Sequence, residues 1–229
     1  MLGFPTDAAS ANIKLLLAHE GQNDEAYRAS LQGAGIKPIK RTYTVVEYRK
    51  TSNELDIDFA LHTDSGPATQ FALNAKPGDT VGIAGPSQNK LVDVTADWFL
   101  IAGDMTALPA IAANIKHLPK NATGYLVIEV QESADKRDFQ IPDSMSVQWL
   151  INPEPQSGNS ELADTVMSLA WPKGIPNVWI AGELSTVKTL RSYLAKTKQL
   201  NPEHRYTSAY WQIGQNEDTF QLAKRQLSN

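Results

Sequence analysis

The sequence predicts an antiparallel β domain of the barrel type followed by a parallel-sheet α/β domain, and two rhythms with the turn between them carry that prediction. Leu55, Ile57, Phe59 and Leu61 alternate with Asp56, Asp58, Ala60 and His62, the period of a strand with one buried face. From about residue 97 continuous apolar runs alternate with helical spacings, as successive βαβ units require. The turn-rich stretch Gly85-Pro86-Ser87-Gln88-Asn89 precedes the change of rhythm. The expected domains are therefore residues 1–95 and 96–229.

Taken in order, Ile13 to Leu17 alternates as a strand, and the polar segment His19 to Lys40 is the longest loop candidate. Tyr43 to Tyr48 is β-branched and aromatic and reads as a strand, as does Leu55 to His62. Gly66-Pro67 opens a helix, because proline suits the first helical position. The turn Pro77-Gly78-Asp79 leads into a strand from Thr80 to Ala84. In the second half, Trp98 to Ala102, Tyr125 to Val130, Val147 to Ile151, Val178 to Ala181 and Tyr206 to Trp211 read as strands. Helices are expected over Met105 to His117, around Leu162 to Leu169, and from Glu183 to Lys196.

Composition narrows the chemistry. At 229 residues and 41% hydrophobic content the chain can bury a sizeable core. The apolar run Ile13 to Ala18 is broken by Lys14 and is too short for a membrane span or a signal core, so a cytoplasmic protein with no membrane partner is expected. Zero cysteines exclude disulfides, thiolate metal sites and thiol nucleophiles, so redox chemistry requires a bound cofactor. A net charge of −4 and a pI near 5.6 argue against nucleic acid as a partner. The four histidines, at 19, 62, 117 and 204, are too scattered for a histidine-rich metal site. The oligomeric state is left open.

Three turn segments carry the functional signal. In Arg41-Thr42-Tyr43-Thr44, Arg41 and Tyr43 share a strand face, so one can meet phosphate oxygens while the other lies against a flat ring. An ordinary surface strand shows the same spacing more often. Gly66-Pro67-Ala68-Thr69 offers unpaired backbone N–H groups to a diphosphate, and a plain helix start fits it equally. Gly103-Asp104-Met105-Thr106-Ala107-Leu108-Pro109 follows a buried strand at the end of the sheet where open α/β folds bind nucleotides. It lacks the second and third glycines of the Rossmann fingerprint, and a simple strand-to-helix turn explains it as well. Ala181-Gly182-Glu183 repeats the layout one strand later. His62, at a strand end, fits a cofactor contact or a polar face residue.

As a series these segments resemble the siderophore-interacting protein family, flavin-dependent ferric-siderophore reductases of the ferredoxin-reductase superfamily. Arg41-Thr42-Tyr43-Thr44 is similar to the family's flavin motif, Gly66 to Thr69 to its diphosphate loop, Gly103 to Ile111 to its Gly-Asp-x-Thr-Ala-Leu-Pro-Ala-Ile signature, and Ala181-Gly182-Glu183 to its nucleotide-domain turn. Tyr210-Trp211-Gln212-Ile213-Gly214 is similar to its Tyr-Trp-x-x-Gly segment. The resemblance spans about residues 3 to 217. It implies an antiparallel flavin-binding β-barrel followed by a nicotinamide-binding α/β domain, with FAD and either NADH or NADPH as cofactors.

By the same implication Arg41 and Thr69 contact the diphosphate, Tyr43 and Thr44 the flavin, and His62, Gly66 and Ala68 line the FAD. Gly103, Asp104, Thr106, Ala107 and Pro109 lie near the nicotinamide, Ala181, Gly182 and Glu183 form the nucleotide-domain turn, and Tyr210 and Trp211 count among the cofactor-binding residues. The implied substrate is a ferric siderophore, and Arg49 and Lys50 are the candidate cations for docking this bulky, often anionic chelate. A solvated charge pair accounts for them too. Family members carry strands before the equivalent of Gly3-Phe4-Pro5, so a barrel without its opening strands and with open edges is expected. A general flavin or ferredoxin-type reductase would share both nucleotide sites, and a non-catalytic siderophore-binding protein would bind ligand without flavin.

Overall fold

A computed structural model of the chain describes residues 4–5, 8–60, 66–217 and 219–220. The chain divides into two compact units, residues 1–89 and 90–229.

Unit 1 is built on strands β1 (Asn12–Leu17), β2 (Ile39–Arg49), β3 (Glu54–Ile57) and β4 (Gly82–Ala84), with helices α1 (Asp24–Leu31) and α2 (Pro67–Asn74). The strands form an antiparallel sheet in the order β3-β2-β1-β4, so β3 and β4 are its edges among the described residues. Alternation in β1 buries Ile13, Leu15 and Leu17, and these pack with Val45 of β2 and Ala68 of α2.

Three sequence expectations change here. The loop expected from His19 to Lys40 contains α1. Asn23 caps it by accepting from Ala26 N at 2.8 Å, Asp24 and Glu25 occupy its first turn, and Arg28 donates to Asp24 one turn back at 2.7 Å. Tyr27 pins α1 to the sheet, its hydroxyl donating to Leu16 O and accepting from Gly82 N at 3.0 Å. The strand expected from Leu55 to His62 stops at Ile57, where pairing with β2 ends beside a bulge between Val45 and Glu47. Phe59 instead packs against Tyr43 with ring centroids 4.5 Å apart, and Leu61 and His62 lie outside the described residues. The strand expected from Thr80 is shorter, since Thr80 accepts from Arg28 at 2.5 Å and the chain joins β1 only at Gly82.

Unit 2 contains a wholly parallel five-stranded sheet of β5 (Trp98–Asp104), β6 (Gly124–Val130), β7 (Met145–Ile151), β8 (Pro176–Glu183) and β9 (Arg205–Trp211). Helices α3 (Leu108–His117), α4 (Glu161–Ser168) and α5 (Leu184–Ser192) connect it, with a short 3-10 turn over Met105–Ala107 before α3 and a π-helical turn over Tyr193–Thr197 after α5. Strand order is β7-β6-β5-β8-β9. Alternation along β5 sends Phe99 and Ile101 into the layer holding Ile111 of α3, and Trp98, Leu100 and Ala102 into the layer holding Val166 of α4 and Leu190 of α5. Both faces are covered, which is why β5 and β8 are buried along their whole lengths. The order reverses direction between β5 and β8, and that crevice at the carboxyl ends of the two strands is where open α/β sheets take ligands.

Candidate functional site

In unit 1 the site residues converge on one face of β2 and on the start of α2. Arg41 lies opposite Leu15 and Tyr43 opposite Ile13, so both share the face of the β1 core residues, while Thr42 and Thr44 pair with Lys14 and Asn12 on the other face. Arg41 folds back to donate to Lys40 O at 2.8 Å. Tyr43 packs on Phe59, and Phe59 on Phe71 of α2 at 6.4 Å, which ties the Tyr43 ring to the helix.

The N-terminus of α2 has no side-chain cap from its own N-cap residue. Gly66 at the N-cap supplies no side-chain acceptor, Pro67 fills the first helical position, and no acidic residue stands in the first turn. The N–H groups of Ala68 and Thr69 and the Thr69 hydroxyl find no acceptor among the described residues. Gly66 has an ordinary φ of −67°, and a Cβ there would meet nothing within 4 Å. Neither backbone strain nor packing among the described residues requires glycine at that position, and among those residues two N–H groups of the first turn stay without an acceptor, as helix N-termini that bind anions do.

The switch point of unit 2 is organised differently. Asp104, the last residue of β5, is 6% exposed and accepts four hydrogen bonds. One oxygen takes the N–H of Thr106 at 2.9 Å and its hydroxyl; the other takes Glu183 N at 2.7 Å and the Trp211 indole N–H at 2.8 Å. One carboxylate thus ties together the carboxyl ends of β5, β8 and β9. Glu183, the last residue of β8, caps α5 in the same way. One of its oxygens takes the N–H and hydroxyl of Ser185 and Thr186 N at 3.2 Å, and the other takes Ile213 N at 3.4 Å. Burial holds the Asp104 carboxyl above its ordinary range, against the smaller downward pull of the Thr106 hydroxyl and the N–H groups of Trp211, Thr106 and Glu183.

The glycines of these two turns serve this network. A Cβ on Gly182, whose φ is +149°, would stand 2.4 Å from the Asp104 carboxylate, and one on Gly103 would stand 2.6 Å from Ala181 O and 2.9 Å from Ala107 Cβ. Ala107, Pro109 and Ala181 are buried in the packing of α3 and β8 against β5, and Tyr210 packs on the α3 side of the sheet. The three segments singled out in unit 2 are therefore one hydrogen-bonded assembly. Beside it, Asn152, Glu154, Gln156, Asn159, Glu161 and Asp164 line an open groove of about 270 Å³ that carries three carboxylates and no lysine or arginine.

Sequence reasoning missed Ser185, Thr186 and the backbone of Ile213. The signal was present twice, as Asp104-x-Thr106 and Glu183-x-Ser185, a carboxylate followed two residues later by a hydroxyl, the local pattern of a side-chain cap. It also missed Phe59 and Phe71 as the backing of Tyr43. His62 lies outside the described residues. Arg49 is held by Asp56 through two hydrogen bonds, one of 2.7 Å, by Glu54 at 3.1 Å and by Glu47 at 3.2 Å, and its pKa rises above the ordinary arginine value chiefly through the hydrogen bonds it donates to Asp56 and then to Glu54. Lys50 is exposed and pairs with no carboxylate among the described residues.

The two units match two family descriptions in the same order. Residues 1–90 match the siderophore-interacting FAD-binding domain and residues 96–214 the siderophore-interacting protein. The chain is 33% identical over 226 residues to the ferric vibriobactin reductase ViuB of Vibrio cholerae, covering 96% of this chain and 83% of that protein. It is 31% identical over 180 residues to an NADPH-dependent ferric-chelate reductase of Escherichia coli, covering 77% of this chain and 68% of that one. The crystal structure of the siderophore-interacting protein SipS from Aeromonas hydrophila superposes with a TM-score of 0.81 at 31% identity, over 95% of this chain and 84% of the other. Two family matches in the same order as the two units, and similarity that runs through both, place this chain in the siderophore-interacting protein family.

Proposed function

We propose that this chain is a ferric-siderophore reductase that uses FAD and NAD(P)H. The observation that carries this reading is the N-terminus of α2, where, among the described residues, Gly66 meets no neighbour at its Cβ position and the N–H groups of Ala68 and Thr69 find no acceptor, in the same unit as the Arg41 and Tyr43 face. Two amides without an acceptor among the described residues and the guanidinium of Arg41 in the same unit suit a diphosphate, and a half-buried tyrosine backed by Phe59 suits a flat ring, so the residues present fit FAD. In this reading Ala68, Thr69 and Arg41 hold the diphosphate, Tyr43 lies against the ring system, and Thr44, on the opposite face of β2, acts through its backbone. The crevice between β5 and β8 receives the nicotinamide nucleotide, walled by Trp211.

FAD, when bound, supplies the conversion of a hydride's electron pair into the single electrons that Fe(III) accepts. Iron is substrate and needs no ligand from this chain. Fe(II) is held less tightly by hard oxygen chelators than Fe(III), so reduction releases it. Lys50 is the docking cation we favour for an anionic chelate, because the Arg49 charge is already met by three carboxylates. The need for reduced nicotinamide nucleotide argues for a cytoplasmic setting, and among the described residues no helix is long and apolar enough to cross a membrane.

The purified protein, loaded with FAD, should show a visible flavin band that bleaches on anaerobic addition of NADH or NADPH and recovers when a ferric siderophore is added. A protein that takes up no FAD, or whose reduced flavin persists in the presence of ferric siderophore, refutes the reading.

A further inference from the structure

Among the described residues the two sheets have four edge strands, β3 and β4 in unit 1 and β7 and β9 in unit 2. An edge offers a row of backbone N–H and C=O groups to any strand that can align with it, and folded proteins blunt such edges with charge, shortness or a covering side chain. Three of the four are blunted here. β3 carries Glu54 and Asp56, β4 is three residues long, and β9 carries Arg205 and has its Thr207 carbonyl taken by Arg191 at 3.1 Å. β7 has none of these devices. Its seven residues, Met145-Ser146-Val147-Gln148-Trp149-Leu150-Ile151, hold no charge and no proline, and Ile151 is 38% exposed. The pairing with β6 also fixes which way the β7 backbone faces. Asn152 N donates to Val130 O at 2.8 Å, so in a parallel ladder Leu150, Gln148 and Ser146 turn their backbone groups to β6. Those of Val147, Trp149 and Ile151 turn outward, and no hydrogen bond to another part of the chain engages them among the described residues.

We propose that β7 is the contact through which two copies of this chain form a two-fold dimer, their β7 strands pairing antiparallel so that the two five-stranded sheets join into one. The strand's own sequence selects this occupant. With the axis at Gln148, outward-facing Val147 lies opposite outward-facing Trp149 of the second copy, and the two exchange both N–H···O bonds. Both side chains lie on the α3 side of the sheet, a β-branched residue beside an aromatic one. Met145 then stands opposite Ile151, Ser146 opposite Leu150, and Gln148 opposite its own copy, where two side-chain amides can bond each other. Like charges directly opposite would cost stability, and this register has none. Beyond the strand ends Asp143 falls opposite Pro153 and Glu154 opposite Pro142, and a proline has no N–H with which to extend the ladder. Pairing β7 with β3 or β9 of another copy would be head-to-tail and would meet the charges of Glu54 and Asp56 or of Arg205 and Arg191. The contact is one strand wide, so the dimer is weak, with a dissociation constant on the order of 1–100 μM.

Sedimentation velocity of the purified protein with FAD supplied, from about 1 μM to about 500 μM, reads the association. The wild type should pass from monomer to dimer across that range and grow no further. Gln148→Glu and Gln148→Lys each set like charges against each other at the axis and should weaken the dimer by roughly tenfold or more. An equal mixture of the two should restore it, because the axis of a mixed dimer carries one carboxylate and one ammonium. Hydrogen exchange of the wild type needs no variant to fold. Peptides spanning β7 should exchange more slowly at the top of the concentration range than at the bottom, and those spanning β9 should not change. A wild type that stays monomeric throughout overturns the proposal, as does a dimer that forms without added protection of β7. So does a Gln148→Glu protein that dimerises like wild type, or a mixture of the two folded variants that stays monomeric. Outward-facing β7 amides already protected in the monomer show that another segment of this chain covers the edge, and overturn it as well. None of these measurements follows electron transfer, so their failure leaves the reductase reading standing.

Discussion

At the scale of single residues, three glycines that look alike in the sequence do different work. Gly66 has ordinary backbone angles and open space where a side chain would go, so nothing in the described structure demands it. Gly182 combines a φ of +149° with a carboxylate oxygen 2.4 Å from the position of a Cβ, and Gly103 approaches Ala181 O almost as closely. A substitution series separates the two roles. Gly66→Ala should change thermal stability by less than about 1 kcal/mol, the scale of an N-cap exchange, while weakening FAD binding in a fluorescence titration. Gly182→Ala should destabilise unit 2 by about 2–4 kcal/mol through a forbidden backbone region and a displaced buried carboxylate. If Gly66→Ala unfolds the protein, or leaves FAD affinity untouched, the glycine there serves the fold and the anion-binding reading is lost. None of this division was legible in the sequence, because Gly-Pro-Ala-Thr and Gly-Asp-x-Thr are both glycine turns before a helix, and only the neighbours of the missing Cβ tell them apart.

At the scale of elements, legibility followed the source of the stabilising contacts. The strands of unit 2 were readable because a parallel sheet covered on both faces needs continuous apolar runs, and Trp98 to Ala102 and Val178 to Ala181 are such runs. Helix α1 was missed because its stability comes from its ends and from one tyrosine rather than from an apolar stripe. The capping Asn23, the acidic Asp24 and Glu25 and the hydroxyl of Tyr27 hold it, and only the first three leave a local trace in sequence. The early end of β3 was unreadable for the opposite reason, since Phe59 continues the alternation but is drawn out of the ladder by Tyr43 and Phe71. The end of β6 holds a liability of the same non-local kind. One oxygen of Glu129 is buried with no hydrogen-bond partner among the described residues, and burial first, then the nearby Asp104 and Glu161 charges, raise its pKa against the pull of Asn152. A carboxyl whose folded pKa exceeds its unfolded value costs stability when ionised, and that cost disappears as the pH falls through the folded pKa. Glu129→Gln should therefore stabilise unit 2 by about 1 kcal/mol near neutral pH, the low end for an unsatisfied buried group that partly reaches solvent. The gain should vanish below about pH 4, where the wild-type carboxyl is neutral in both states. Urea unfolding of the two proteins across that range gives the answer, and a gain that persists at low pH would assign the effect to packing instead of charge.

At the scale of the whole molecule, charge constrains how the proposed substrate arrives. The chain carries a net charge of −4, so an anionic ferric chelate meets repulsion at long range and attraction only where cations stand unneutralised. Arg49 does not qualify, since its guanidinium sits among Asp56, Glu54 and Glu47, whereas Lys50 beside it is exposed and unpaired among the described residues. The two ranges respond to salt in opposite directions. Screening relieves the global repulsion, which would raise kcat/KM as ionic strength increases, and it weakens a local docking contact, which would lower it. Steady-state reduction of a polyanionic chelate and of an uncharged one, followed between about 10 mM and 300 mM salt, reads the balance directly. With Lys50 as the docking cation, kcat/KM for the polyanion falls by a few-fold with salt while that for the neutral chelate stays level. In Lys50→Ser the slope reverses sign, because only the global repulsion remains. A wild-type rate for the polyanion that already rises with salt, or a Lys50→Ser slope equal to that of wild type, would move the docking surface away from the end of β2. Since Arg49 is saturated by its carboxylates, Arg49→Ser should uncover the negative charge of Asp56, Glu54 and Glu47 and depress polyanion turnover more than the loss of one arginine alone would.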